Sequence, residues 1–166
     1  MSDTPITHEE FTRSLRDTLG MFATGITVVT TRTPDGEPLG LTVNSFNSVS
    51  LDPPLIAWSL ARHLPFVSAF EQCEYYAVNV LAAGQEEISN LFAGRAEDKF
   101  SRVEHDEGMY GVPLLRGCCA RFECRNTVRH EGGDHILFLS EVVRFDHEAR
   151  SPLIFHGGSY RRLAAD

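Results

Sequence analysis

The amino-acid sequence predicts a mainly β protein, an antiparallel β-barrel with a few peripheral helices packed on it. Runs of β-branched and aromatic residues recur along the 166-residue chain, and short turns join most of them. Helical patterns occur at the start and as interruptions, without the regular strand–helix alternation of a doubly wound parallel sheet. The length and a hydrophobic content of 42% predict a single domain over residues 1–166.

The first element is a helix that begins after Thr7. Thr7 and Glu10 have the spacing of a capping box, in which each side chain accepts a hydrogen bond from the other residue's backbone N–H. An apolar face follows at helical spacing, formed by Phe11, Leu15, Leu19 and Phe22. Two later helices are predicted over residues 65–71 and 84–100, and Gly94 interrupts the second.

The strands are predicted from β-branched runs bounded by turn residues. The segment 26–33 is β-branched almost throughout, and Pro34-Asp35-Gly36 turns the chain back into the segment 40–51 as a hairpin. Further strands are predicted over residues 55–60, 75–81, 118–129, 135–145 and 152–155, with a loop at 108–117 and a turn at 157–158. The short connections predict that successive strands are antiparallel.

Charge and cysteine usage limit the classes of function. A net charge of −8 argues against nucleic acid, because neutralising phosphates requires a basic face. The N-terminal residues lack a hydrophobic run, and no apolar segment reaches the roughly 18 residues of a membrane span. The four cysteines are Cys73, Cys118, Cys119 and Cys124, without a Cys-x-x-Cys pattern. We expect all four to be reduced thiols, with Cys118 and Cys119 on opposite faces of one strand. We also expect a cytoplasmic protein without a membrane partner.

The common nucleotide, hydrolase and metalloprotease motifs are absent. The sequence has no G-x-G-x-x-G after a strand, no G-x-x-x-x-G-K-[ST], no H-E-x-x-H and no G-x-S-x-G. The seven histidines are dispersed. A metal site formed by His130, His135 and a nearby cysteine is a weak alternative, so the prediction is that no metal is bound.

The most informative segment runs from Thr42 to Ser50. Six of its nine residues carry a hydroxyl or an amide, and no charge appears before Asp52. A half-buried strand that faces bulk water usually carries charged residues as well, so this composition favours a flat ligand with a polar edge. The alternative interpretation is an ordinary hairpin of a small barrel with satisfied polar positions.

A second informative feature is the turn at residues 132–135, Gly-Gly-Asp-His. The two glycines allow positive φ, Asp134 favours local hydrogen bonding, and His135 begins the following strand. The pattern places an imidazole at the rim of a barrel, where ligand sites commonly form. The alternative is a hairpin turn that carries a surface histidine.

Four segments together resemble a known family: GMFATGITVVTT, GLTVNSFNSVSLDPPLI, YYAVNVLAAGQEEISNLFA and GGDHILFLSEV. In this order they resemble the short-chain flavin reductases, the reductase partners of two-component flavin monooxygenases. The similarity runs from about Phe11 to Tyr160 and implies an antiparallel Greek-key split β-barrel of the FMN-binding type, with its core over about residues 11–160. The chain has Ser140 where the family has glycine, and we expect this side chain to narrow the space beside the nicotinamide.

The resemblance implies the ligand sites residue by residue. At the flavin ring it implies Thr42, Val43, Asn44 and Ser45, with Ser48 nearby. At the ribityl-phosphate region it implies Ser59, Leu60 and Arg62, and at the phosphate or adenine end Phe92, Lys99 and Phe100. His135 matches the catalytic histidine beside the nicotinamide, and Tyr160 matches part of the nicotinamide pocket. For Arg62 and Lys99 the alternative is a solvated surface charge.

The implied reaction is hydride transfer from NADH or NADPH to FMN or FAD. Fixed donors near the pyrimidine edge of the flavin would stabilise the negative charge that develops on reduction. The resemblance also implies a homodimer with the flavin site near the subunit interface, and a separate flavin-dependent monooxygenase that uses the reduced flavin. Two alternatives stay open: a flavin-binding electron carrier, and a split-barrel oxidase that retains its FMN.

Overall fold

A computed structural model of the chain describes residues 6–164. Its helices are α1 (His8–Leu19), α2 (Val67–Gln72) and α3 (Glu86–Ala93). Its first six strands are β1 (Thr24–Gly25), β2 (Thr27–Arg32), β3 (Pro38–Val43), β4 (Asn47–Leu51), β5 (Pro54–Ala61) and β6 (Tyr75–Val80). The others are β7 (His105–Glu107), β8 (Pro113–Leu115), β9 (Ala120–Gly132), β10 (His135–His147), β11 (Ile154–His156) and β12 (Ser159–Arg161).

Seven strands form one antiparallel sheet in the order β3-β2-β6-β9-β10-β5-β4. The strands β3 and β4 follow each other in the sequence but lie at opposite edges of this sheet. Residues 44–46 connect them, so the chain crosses the gap at this point. The sheet curves without closing into a continuous ladder, which confirms the prediction of a mainly β, split-barrel architecture.

The core inside the sheet is aromatic. Trp58 stacks on Phe138 with 4.6 Å between ring centroids, and Tyr76 and Phe70 meet the indole edge-on at 5.5 and 5.4 Å. All four side chains are fully buried. Because the inward and outward residues of a strand alternate, this packing also decides which side chains of β5 and β10 face outward.

Three local predictions were wrong. The helix predicted over residues 84–100 breaks at Gly94, as expected, but does not resume beyond it: the Gly94 N–H caps the helix by bonding to the Asn90 and Leu91 carbonyls, and a 3₁₀ turn follows at Phe100–Arg102. The loop predicted over residues 108–117 contains β8, which pairs with β7 in strands too short to show alternation. Cys118 and Cys119 precede β9 and do not lie on opposite faces of a strand.

Helix α1 is formed as predicted but packs on very little of its own chain. The capping box is present, with the Glu10 N–H donating to Thr7 Oγ1 at 3.2 Å and the Thr7 N–H donating to Glu10 Oε2 at 2.8 Å. The four predicted apolar side chains stay 46–78% exposed: Phe11, Leu15, Leu19 and Phe22. None of the helices among residues 6–164 combines the length and the hydropathy needed to cross a membrane.

Candidate functional site

In the crossover at residues 44–46, Asn44 and Ser45 are polar and exposed, and Ser45 is bonded to the neighbouring strand. Ser45 Oγ accepts a hydrogen bond from the Ser59 N–H at 2.9 Å and donates to the Ser59 carbonyl at 3.2 Å. The Phe46 ring packs against Phe122 at 5.5 Å and anchors the far end of the crossover. Within residues 6–164 the backbone N–H groups of these three crossover residues donate to no acceptor. The crossover therefore presents fixed and available donors.

Beside the crossover lies a surface that we call the open face. It consists of the outward side chains of β5 and β10: Ala57, Ser59, Ala61, His135, Leu137 and Leu139. Ser59 pairs with Leu137 and Ala61 with His135, so Ser59 and His135 are diagonal neighbours on one face, roughly 7–8 Å apart between Cα atoms. The small and apolar residues between them form a flat, uncharged floor.

The rim of the open face is the turn between β9 and β10. Gly133 has φ of 71°, a conformation that favours glycine, and the two-residue turn brings His135 opposite Gly132. The Arg62 N–H donates to the Asp134 carbonyl at 2.9 Å, Arg62 Nε donates to the Gly133 carbonyl at 3.1 Å, and the guanidinium pairs with Glu131. The resemblance implies that the Arg62 guanidinium binds a phosphate, whereas in this structure it contacts the Gly133 carbonyl and the Glu131 carboxylate.

Within this rim Asp134 and His135 form a hydrogen-bonded pair. The distance from Asp134 Oδ1 to His135 Nδ1 is 2.7 Å. The hydrogen bond and the nearby imidazole hold the pKa of Asp134 below its ordinary value, so this carboxylate is ionised at neutral pH. An ionised carboxylate only accepts, so Nδ1 carries the proton and Nε2 is the ring nitrogen left for a ligand.

A second group of predicted residues meets at helix α3. Thr42 Oγ1 donates to the Ser89 carbonyl at 2.7 Å, and Tyr160 Oη lies 2.9 Å from Ser89 Oγ and 2.7 Å from Asn90 Oδ1. Ser89 and Asn90 thus join strand β3 to the C-terminal hairpin, and the sequence reasoning missed both. Their signal in the sequence was the polar pair that interrupts the apolar face of α3. Tyr160 is thus bonded to residues of α3, and among the described residues no hydrogen bond links it to His135.

The residues implied at the phosphate or adenine end surround the end of α3. Lys99 Nζ donates to the Phe92 carbonyl at 3.1 Å, and burial lowers the pKa of Lys99. Phe100 meets the Phe92 ring edge-on at 5.1 Å. Lys99 retains two further N–H donors, since an ammonium carries three.

Three expectations about side chains require correction. Leu60 and Phe92 are 0% and 1% exposed, so both side chains belong to the core, and only backbone atoms are left there for the implied ligand contacts. Ser140 is also fully buried, because it lies on the inward side of β10 opposite Ile56. It therefore does not narrow a nicotinamide site on the open face. Of the other implied residues, Val43 is half-buried on β3, and Ser48 lies exposed on the edge strand β4.

Neither of two cavities in the described part of the chain is lined by these residues. One cavity, of about 320 Å³, lies beside Ile88 and Arg102, and the other, of about 260 Å³, lies between Leu39 and Phe66. Over residues 6–164 there is no group of three or more His, Cys, Asp or Glu side chains placed to hold a metal ion. The metal alternative at His130 and His135 therefore gains no support, and the candidate site is an open surface.

Comparisons with known proteins agree on one family. A family model described as a flavin reductase like domain matches residues 19–164. The FMN reductase (NADH) SmoA of Agrobacterium fabrum is 46% identical over 157 residues, which cover 93% of this chain and 88% of that protein. The reductase component of a flavin-dependent trigonelline monooxygenase of Acinetobacter baylyi is 39% identical over 89% of this chain, which spans only 48% of that longer protein.

The solved structures lead to the same family. The NADH:FAD oxidoreductase of Streptomyces globisporus, in complex with NAD and FAD fragments, superposes with a TM-score of 0.90. It is 38% identical, and the match covers 98% of this chain and 99% of that chain. Agreement over nearly the full length of both chains confirms the split-barrel fold.

Proposed function

Since this chain belongs to the flavin reductase-like family, we propose that it transfers a hydride from NAD(P)H to FMN or FAD on the open face of β5 and β10. It is an oxidoreductase that takes a nicotinamide cofactor as reductant and supplies reduced flavin to a separate monooxygenase. One observation carries the location of the site. The crossover donors, the Ser45–Ser59 pair and His135 border a single uncharged floor.

The residues at this face fit a flavin. The side chains of Ala57, Leu137 and Leu139 provide an apolar surface for a flat ring, and the crossover N–H groups would be the donors for its polar edge. When bound, the flavin accepts at N5 the hydride that nicotinamide C4 donates. The task of the protein is to hold the two rings about 3–3.5 Å apart and to exclude water.

His135 is the residue of this chain that we assign to the nicotinamide. Its Nδ1–H is engaged by Asp134, so Nε2 is available to orient a carboxamide or, when protonated, to place positive charge near the reduced ring. Hydride transfer requires no proton from the protein, so a general-acid role is not needed. Lys99 is the residue we assign to a flavin phosphate, because it keeps unused donors at the end of α3.

We further propose a homodimer in the cytoplasm. Three large apolar side chains of α1 and Phe22 just beyond its end remain exposed, and soluble monomers rarely present a large apolar patch. A second copy would cover these side chains and, as the family resemblance implies, lie near the flavin site. Replacing Phe11 and Leu15 by Glu should then yield monomers in sedimentation velocity, with weaker flavin binding. A double variant that stays dimeric would exclude α1 from the interface.

The activity is tested by turnover. Purified protein with excess FMN or FAD and NADH should oxidise many equivalents of NADH, followed by its absorbance. A single stoichiometric reduction of a retained flavin would instead indicate an electron carrier.

Release of the reduced flavin is tested with a trap. In air the protein alone should produce hydrogen peroxide, and excess cytochrome c should intercept the electrons, because an open face favours exchange of the flavin. NADH consumption without any reduction of the trap would contradict transfer by free diffusion and would favour the oxidase that retains its FMN.

A further inference from the structure

Arg62 joins the end of β5 to the turn that precedes His135. Its backbone N–H donates to the Asp134 carbonyl, and its Nε donates to the Gly133 carbonyl. Its Nη2 pairs with the Glu131 carboxylate. All three acceptors belong to residues 131–134, directly before His135. Arg62 therefore restrains this turn from the neighbouring strand, and two of its three guanidinium nitrogens contact protein acceptors.

The same turn restrains the imidazole. Asp134 is 92% exposed and the His135 side chain 45% exposed, so packing alone does not fix the ring. The 2.7 Å hydrogen bond from His135 Nδ1 to Asp134 sets the ring orientation, and Arg62 holds the backbone on which Asp134 stands. The contacts thus run in sequence from Arg62 through Asp134 to His135.

We propose that Arg62 is a positioning residue for His135, rather than a flavin phosphate ligand. The inference rests on the proposed function, in which His135 orients the nicotinamide. The guanidinium is a planar fork that reaches the Gly133 carbonyl and the Glu131 carboxylate together. A lysine ammonium is a point charge that serves a phosphate well but does not reproduce this fork.

The test compares Arg62→Ala and Arg62→Lys with the matched control Arg129→Ala. Arg129 is exposed on the same hairpin and, among the described residues, forms no side-chain hydrogen bond or ion pair. Stopped-flow reduction of bound flavin by NADH should be slowed roughly tenfold or more in both Arg62 variants, since small misplacements of a reacting group cost rates of this order. The control should reduce flavin at the wild-type rate. If Arg62→Ala does not fold, the lysine variant carries the test.

The His135→Ala background shows whether Arg62 acts through the imidazole. In that background Arg62→Ala should slow reduction by less than twofold, because the positioned group is already absent. A further tenfold loss there would overturn the proposal. A wild-type rate of flavin reduction in His135→Ala alone would also overturn the positioning role of Arg62. Continued turnover of NADH in that variant would still support the reductase function.

Flavin affinity separates the two roles of Arg62. Positioning predicts that Arg62→Ala leaves the ratio of FMN to riboflavin affinity unchanged. A selective loss of FMN affinity in Arg62→Ala, restored in Arg62→Lys, would assign Arg62 to the phosphate and refute the positioning role.

Discussion

Replacing Gly40 by alanine should destabilise the junction between strand β3 and helix α3. A Cβ at this position would lie 2.8 and 2.9 Å from two ring carbons of Phe92, and 3.2 Å from Thr30 Cγ2. Carbon atoms in contact normally stand 3.5–4.0 Å apart, so the ring would have to move by roughly 0.6–1 Å. Phe92 is 1% exposed and packs edge-on against Phe100, which leaves it little room to move.

The expected loss combines two opposing effects. Overpacking a filled core costs about 1–3 kcal/mol, and removing a glycine from a strand recovers about 0.5–1 kcal/mol. The net loss in the free energy of unfolding is therefore about 0.5–2 kcal/mol, or a fall in Tm of roughly 1–8 °C for a chain of this size. Thermal and urea unfolding followed by circular dichroism measure both quantities.

Gly25 provides the matched control. A Cβ added there meets nothing within 4 Å, so Gly25→Ala should be neutral or slightly stabilising. Replacing the opposing ring by a smaller side chain, Phe92→Leu, should relieve part of the clash in Gly40→Ala. The double variant should then be more stable than the sum of the two single losses in unfolding free energy implies. The reasoning fails if Gly40→Ala is as stable as Gly25→Ala, or if the two substitutions are additive.

Three further predictions concern the site and a buried carboxyl. Asn44→Leu with Ser45→Val should weaken flavin binding about tenfold or more without unfolding the protein, because bulk and lost donors disturb the crossover; unchanged affinity in fluorescence titration would remove the crossover from the site. Lys99→Met should weaken FMN binding more than riboflavin binding, and equal losses in the same titration would exclude a phosphate contact. Glu123 is 3% exposed and burial raises its pKa above the ordinary value, so folding stability is lost as pH rises through the folded-state pKa of this carboxyl. Glu123→Gln should therefore have a higher free energy of unfolding in urea than the parent at pH 8, and this difference should vanish near pH 4. A difference that does not depend on pH would contradict a raised pKa for Glu123.

Local sequence determined much of the fold because its signals were short-range. The capping box at Thr7 and Glu10, the β-branched run of β2 and the glycine turn before His135 each depend on residues a few positions apart. The same signals identified the polar crossover and the histidine at the rim. The weak β7–β8 hairpin was missed, since strands of three residues show no period.

Only the tertiary structure decided which of these residues act together. Pairing of β5 with β10 places Ser59 and His135 on one face, and the same alternation buries Leu60 and Ser140 on the other. Arg62 contacts a turn about 70 residues away, and Thr42 contacts a helix 47 residues away. Such contacts follow from strand order and register, which depend on how the whole core packs and not on any local pattern. The sequence by itself therefore determined the family, most of the elements and most of the candidate residues, whereas the packed sheet decided which side chains face outward and which hold the others in place.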